Sequence, residues 1–307
     1  MSKKSIIVGG TVAIDNVKTP TAEGNNLLGG SAAYASLASS YYHDSVNLVG
    51  IIGHDYPQAH LEMLESHGVD LRGVERSEDA SFTWTGEYME NMNDRETHAV
   101  ALNVLEGWKV KIPSEIAASE LVVLANMSPE NQLEMLDGCS ASERFVIADT
   151  MDLWISIANE KLHEVLQKID LLVINESEAR EFAQTSNLIL AGERLLEKGP
   201  EHVIIKLGEF GAILFARDGA LFRCPAWPLK EVADPTGAGD AFLGGMAGYL
   251  ANLEASSYSF GDLRQAMVRG TVAASFTCEA FSTQRLQSAT RADLDARMDT
   301  LKEISSW

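Results

Sequence analysis

Short runs of apolar, β-branched or leucine-rich residues recur along the chain at 5–9, 46–53, 121–126, 145–149, 171–175 and 202–208. Their near-continuous apolarity predicts strands covered on both faces in a mostly parallel sheet. Helical patterns fall between them, at 32–41, 57–67 with Pro57 at the first helical position, 129–137, 157–167, 177–183 and 191–198. This alternation predicts a doubly wound α/β fold. Residues 81–89 and 96–105 break the rhythm as two strand-like runs joined by a polar turn, which reads as a hairpin too short to be its own domain. After Gly211 a second β-rich patch, 212–216 and 220–225, leads into two long helices at 238–253 and 262–279.

The 307 residues suffice for one large α/β domain, and a content of 46% hydrophobic and 22% charged residues is that of an ordinary folded chain. A formal charge of −20 argues against nucleic acid and anionic membrane surfaces as partners. It also requires any polyanionic ligand to be held locally, by helix-start N–H groups, a few lysines and a divalent metal. Cys139, Cys224 and Cys278 lie far apart without metal-ligand spacing and read as reduced thiols. The first apolar run stops at Gly9-Gly10, too short for a signal-peptide core, and nothing later reaches membrane-span length, so the expected compartment is the cytoplasm.

The run Asp234-Pro235-Thr236-Gly237-Ala238-Gly239-Asp240-Ala241-Phe242 carries the most chemistry. Its proline and glycines suit a tight loop that a ligand can approach closely, and the N–H groups of the helix start that follows can face an anion. Asp240 can accept the proton of an attacking hydroxyl there; as an isolated residue it reads first as a helix cap.

This run resembles the C-terminal signature of the ribokinase-like, or PfkB, family of carbohydrate and nucleoside kinases. Gly29-Gly30-Ser31-Ala32-Ala33-Tyr34-Ala35 is similar to that family's N-terminal glycine-pair signature, and residues 49–55 to its second-strand motif. Asn175-Glu176-Ser177-Glu178 resembles its Asn-x-x-Glu element, and Lys206-Leu207-Gly208-Glu209-Phe210-Gly211 its nucleotide-binding strand and turn. The resemblance spans about residues 5–285. It implies a single ribokinase-like domain over 1–307: a central, mostly parallel sheet flanked by helices, with a small β lid from about 11–28 and 80–105. It further implies an ATP-dependent phosphotransferase acting on a hydroxyl of a small sugar or sugar derivative, or alternatively of a nucleoside. Asp240 becomes the base, with the N–H groups of Gly237, Ala238 and Gly239 around the transferring phosphoryl. Asp15, Gly29, Gly30 and Tyr34 would hold the acceptor. Asn175, Glu178, Lys206, Gly208 and Gly211 would hold ATP, with Glu178 reaching Mg2+ through water. Asp234 and Thr236 match part of a K+ site, and lid strands would build a homodimer.

Two positions depart from the family pattern. Tyr34 stands where an asparagine commonly helps hold the sugar, and 280–282 lacks the usual glycine-containing loop that completes the cation site. A non-catalytic relative would show a lost base or a broken loop, and both are intact here. A Rossmann dehydrogenase is disfavoured because Gly9-Gly10 has no Gly-x-Gly-x-x-Gly continuation.

Overall fold

A computed structural model describes residues 4–255 and 257–306. Its strands, in chain order, are β1 Ile6–Gly9, β2 Ala13–Lys18, β3 Glu23–Gly29, β4 Val46–Ile52, β5 Val69–Arg76, β6 Phe82–Tyr88, β7 Arg95–Ala101, β8 Leu121–Leu124, β9 Phe145–Asp149, β10 Leu171–Asn175, β11 His202–Lys206, β12 Ala212–Ala216 and β13 Leu221–Cys224. Nine of these form one sheet in the order β13-β12-β11-β10-β9-β8-β1-β4-β5. Neighbours from β11 to β5 run parallel, while β12 and β13 are added antiparallel. Successive residues of the central strands feed opposite cores: Ile6 and Val8, with Leu121 and Val123, pack on one side, and Ile7, Val122 and Leu124 on the other. That two-sided burial is why these strands read as continuous apolar runs.

β3, β2, β6 and β7 make a separate four-stranded sheet. It is mixed, with β2 parallel to β6 and both outer pairs antiparallel. β5, an edge strand, was not expected; its alternation Val69-Asp70-Leu71-Arg72 buries only Val69 and Gly73, too sparse an apolar signal to mark a strand. The helix expected over 157–167 runs Asn159–Leu166, and a separate helix, Asp152–Ile157, precedes it, the two parted at Ala158 (φ −129°, ψ 30°), which leaves helical geometry. Pro57 is extended (φ −61°, ψ 119°) and precedes the helix Gln58–Ser66 as its cap, not as its first residue. The helix Arg291–Ile304 was also not expected.

Two helix starts are brought together by small residues. A Cβ on Gly244 would lie 2.1 Å from the Ala35 carbonyl oxygen, and one on Gly248 2.4 Å from that of Ser39. The helices Ser31–Ser40 and Ala238–Ala251 therefore pack backbone to backbone, with the Ser39 hydroxyl donating to the Gly244 carbonyl at 2.9 Å. Their N-termini, behind Gly30 and Gly237, meet at the C-terminal edge of the sheet, where open α/β sheets bind ligands.

Candidate active site

Gly30 (φ +91°) caps the first of these helices. A Cβ there would meet the Thr11 carbonyl oxygen at 2.4 Å, so only glycine fits. The Ser31 hydroxyl then donates to the Asn126 carbonyl at 2.8 Å, tying the junction to the end of β8. Asp15, midway along β2, pairs with Leu27 of β3 and Trp84 of β6. It lies over Gly29, where a Cβ would fall 2.1 Å from its Cγ. Burial pushes the Asp15 carboxyl up to about 8, and the charges of Asp234 and Asp240 push the same way.

Gly237 (φ +76°) caps the second helix and lies against the Tyr34 ring, 2.3 Å from any Cβ it could carry. Tyr34 is buried, and desolvation, with Asp15 and Asp234 close by, raises its phenol well above the ordinary value. Its place is thus beneath the loop, between Asp15 and Asp234. Asp234 is fully buried, and its two oxygens accept the N–H groups of Thr236 at 2.9 Å and Ser282 at 3.1 Å. It fastens the glycine loop to the segment near residue 282. Of the three N–H groups expected around a phosphoryl, that of Ala238 donates to the Pro235 carbonyl at 3.1 Å, because the turn that reverses the chain into the helix closes through it.

Asp240 is half-buried in the first turn of the same helix. Desolvation pushes its carboxyl up to about 7; Asp149 adds to this, and Lys206 and Arg95 oppose it. Lys206 ends β11, and its ammonium lies 2.9 Å from Asp149 at the end of β9. It also lies 3.0 Å from where a Cβ on Gly239 would sit, so the missing side chain lets the ammonium stand over the helix start. Burial alone would lower the Lys206 pKa, but Asp149, Glu178 and Asp240 together hold it above the ordinary value.

Asn175 and Glu178 form a reciprocal capping box at the end of β10. The Asn175 side chain accepts the Glu178 N–H at 2.9 Å, and Glu178 accepts the Asn175 N–H at 3.1 Å. Burial pushes Glu178 up to about 7, Asp149 adding and Lys206 opposing. Gly208 (φ +56°) and Gly211 (φ +91°) shape the short turn Gly208–Phe210. A Cβ on Gly211 would run into the Cys224 carbonyl oxygen at 2.0 Å. Beside it is a cavity of about 280 Å³ whose lining includes Lys206, Gly208, Gly211, Ala238 and Gly239 together with Trp227, Phe242 and Cys278. A lining that combines a cation and glycine backbone with apolar and aromatic side chains suits a nucleotide's phosphates and base.

A family model described as pfkB family carbohydrate kinase matches residues 7–290. The chain belongs to the pfkB family. It is an ATP-dependent phosphotransferase with a ribokinase fold. A cytidine kinase of Thermococcus kodakarensis is 28% identical over 248 residues, 80% of this chain and 88% of that protein. A nucleoside kinase of Burkholderia thailandensis, solved in complex with inosine, superposes with a TM-score of 0.75 at 20% identity, covering 96% of this chain and 97% of that one. A putative ribokinase II of E. coli, solved with ATP and Mg2+, gives a TM-score of 0.79 at 16% identity over 97% and 99% of the two chains.

Residues that sequence reasoning missed also crowd this pfkB site. Asp149 is one; the apolar run that ends on it at a strand's C-terminus was its signal. Tyr56 is another: its hydroxyl is buried without a hydrogen-bond partner, and burial, with Asp15 in range, raises its pKa. Its ring packs edge-on to His60 at 5.8 Å, and His60 in turn bonds the Asn26 carbonyl of β3 at 3.1 Å. Tyr88 on β6, which the sequence does mark as a hairpin residue able to cover an acceptor, reaches the glycine loop, its hydroxyl accepting from Thr236 at 3.3 Å. Among the described residues no group of three or more His, Cys, Asp or Glu is arranged to hold a metal, and no helix is long and apolar enough to cross a membrane.

Proposed function

We propose that this kinase transfers the γ-phosphoryl group of ATP to a ribose hydroxyl of a nucleoside. The observation that carries the reading is Asp240 at about 7, at the start of a helix whose glycine cap abuts the acceptor-side Tyr34, with Asp15 near enough to feel the charge of Asp240. A base near neutral pH is matched to taking a hydroxyl proton. In the reaction the acceptor oxygen bonds to the γ-phosphorus, its proton passes to Asp240, and the bond to the ADP oxygen breaks. The Lys206 ammonium and the N–H groups of Gly237 and Gly239 offset the charge that develops.

Asp15 and the Tyr56 hydroxyl take acceptor hydroxyls, above the Gly29-Gly30 backbone. A nucleoside is favoured over a bare sugar because the relative with 28% identity is named a cytidine kinase. Buried Tyr34, Tyr56 and Tyr88, with Trp84 opposite Asp15, also surround the acceptor side with aromatic rings. Mg2+ bound with the nucleotide would neutralise phosphate charge, Asn175 and Glu178 orienting its water from the end of β10. The four-stranded sheet acts as the lid that excludes water. Six of the seven residues of its outer strand β7 are exposed, which leaves that edge for a second copy in a homodimer.

The test is ADP release with ATP and Mg2+ against cytidine, adenosine, inosine, ribose, 2-deoxyribose and fructose, run beside Asp240→Asn. Nucleoside-dependent release that disappears in the variant supports the reading. Release driven by a free sugar but by no nucleoside would return the acceptor to the sugar class.

A further inference from the structure

The turn between β6 and β7 is built to hold its shape. Met89 N–H donates to the Asp94 carbonyl at 2.9 Å, and Met92 N–H to the Met89 carbonyl at 2.8 Å. The Asn91 side-chain oxygen accepts the N–H groups of Asn93 at 3.1 Å and Asp94 at 3.0 Å, while its amide nitrogen donates to the Asp94 carboxylate at 2.8 Å. Met92 takes the left-handed conformation, φ +54°, that closes such a turn. All of these bonds run through Asn91, Asp94 and backbone, and none uses the Asn93 side chain.

That side chain lies at the cavity beside Gly208. Asn93 Oδ1 is 3.2 Å from the point where a Cβ on Gly208 would be, and Asn91, Met92 and Asn93 border the same 280 Å³ cavity as Lys206, Gly208 and Gly239. The base of the small sheet, by contrast, carries Asp15 and Trp84 on the acceptor side. One hairpin therefore reaches from the acceptor side to this cavity.

We propose that the Asn91–Asn93 turn is part of the nucleotide site, with the Asn93 amide hydrogen-bonding a nucleoside triphosphate held between Gly208 and Lys206. A side-chain amide carries both a donor and an acceptor, so it can serve a phosphate oxygen or a ribose hydroxyl. Glycine at 208 leaves the gap that the amide fills. The sheet then closes on ATP with its tip and on the acceptor with its base, so that neither substrate alone completes the closed site.

The inference rests on the ATP-dependent reading but is separable from it. Binding of AMP-PNP with Mg2+ is titrated calorimetrically to the full chain, to Asn93→Ala and to Asn93→Asp. Because Asn91 holds the turn, both variants should keep the parent's thermal midpoint without ligand. Loss of one hydrogen bond predicts a Kd raised about three- to tenfold in Asn93→Ala. A carboxylate beside a triphosphate predicts a larger loss in Asn93→Asp. Parent-like AMP-PNP affinity in both variants overturns the proposal while leaving the kinase reading intact; no AMP-PNP binding by the parent chain would instead overturn the nucleotide cavity itself.

Discussion

The Lys206 ammonium stands 2.9 Å from the Asp149 carboxylate, at the ends of two strands separated by β10. This pair acts on both carboxyls around it, on top of their burial. Burial pushes Asp240 and Glu178 up, Asp149 adds to this, Lys206 pulls both down, and both carboxyls settle at about 7. Lys206 and the more distant Arg95 face three carboxylates, which leaves the cluster short of positive charge that Mg2+ arriving with ATP would supply.

Removing Asp149 should therefore move the base. In Asp149→Asn the charge that raises Asp240 is gone while Lys206 remains. The acid limb of the kcat/KM profile, expected near pH 7 in the parent, should shift to lower pH. A limb that stays in place would mean that Asp149 does not act on the base, whatever it does to turnover.

Asp240→Asn keeps the shape and removes proton acceptance. Turnover should fall by about 10²–10⁴, the usual worth of general-base catalysis, while AMP-PNP affinity changes little. Near-parental turnover would end the assignment of Asp240 as base.

Gly237→Ala tests the junction between the two helix starts. An alanine at φ +76° costs about 1–2 kcal/mol, and its Cβ would be driven into the Tyr34 ring at 2.3 Å. Both a lower thermal midpoint and a loss of turnover are expected. Retained turnover with an unchanged midpoint would mean that the loop can be redrawn without harm.

How much of this could be read from the chain differs between elements. Phe145–Asp149 and Leu171–Asn175 were legible to the residue, because strands buried on both faces are written as unbroken apolar runs. β5 was not, since an edge strand needs few buried side chains. The glycine loop was legible as a place for an anion, but the bond that turns the Ala238 N–H onto Pro235 was not, because peptide orientation leaves no mark on residue types. Asp149 and Tyr56 came into the site only through tertiary packing: each ends an ordinary local pattern, and its neighbours Lys206 and Asp15 lie 57 and 41 positions away.

The raised carboxyls also make a stability prediction. Asp15 and Asp240 rise from 3.8 to about 8 and about 7, so between those limits the folded chain binds more protons than the unfolded one. Stability then falls as pH rises through that window. The unliganded protein should melt lower at pH 8.5 than at pH 5.5, by roughly 2–4 °C for each kcal/mol involved. Asp15→Asn should flatten the slope; an equal slope in the variant would place its origin elsewhere.

Tyr56→Phe separates a binding role from a packing role. The ring stays against His60, and only a buried hydroxyl that lacks a protein partner is removed. Removing an unsatisfied buried polar group relieves a desolvation cost of about 1–3 kcal/mol, so the unliganded variant should melt no lower than the parent. If the hydroxyl meets the acceptor beside Asp15, the nucleoside KM should rise about three- to tenfold while the KM for ATP holds. Asp15→Ala should raise the nucleoside KM further, because it removes the group that can accept two hydroxyls. A Tyr56→Phe enzyme with parental KM values and a higher melting point would make the hydroxyl a packing defect rather than a contact. One with equal rises in both KM values would point to a shift of the lid as a whole.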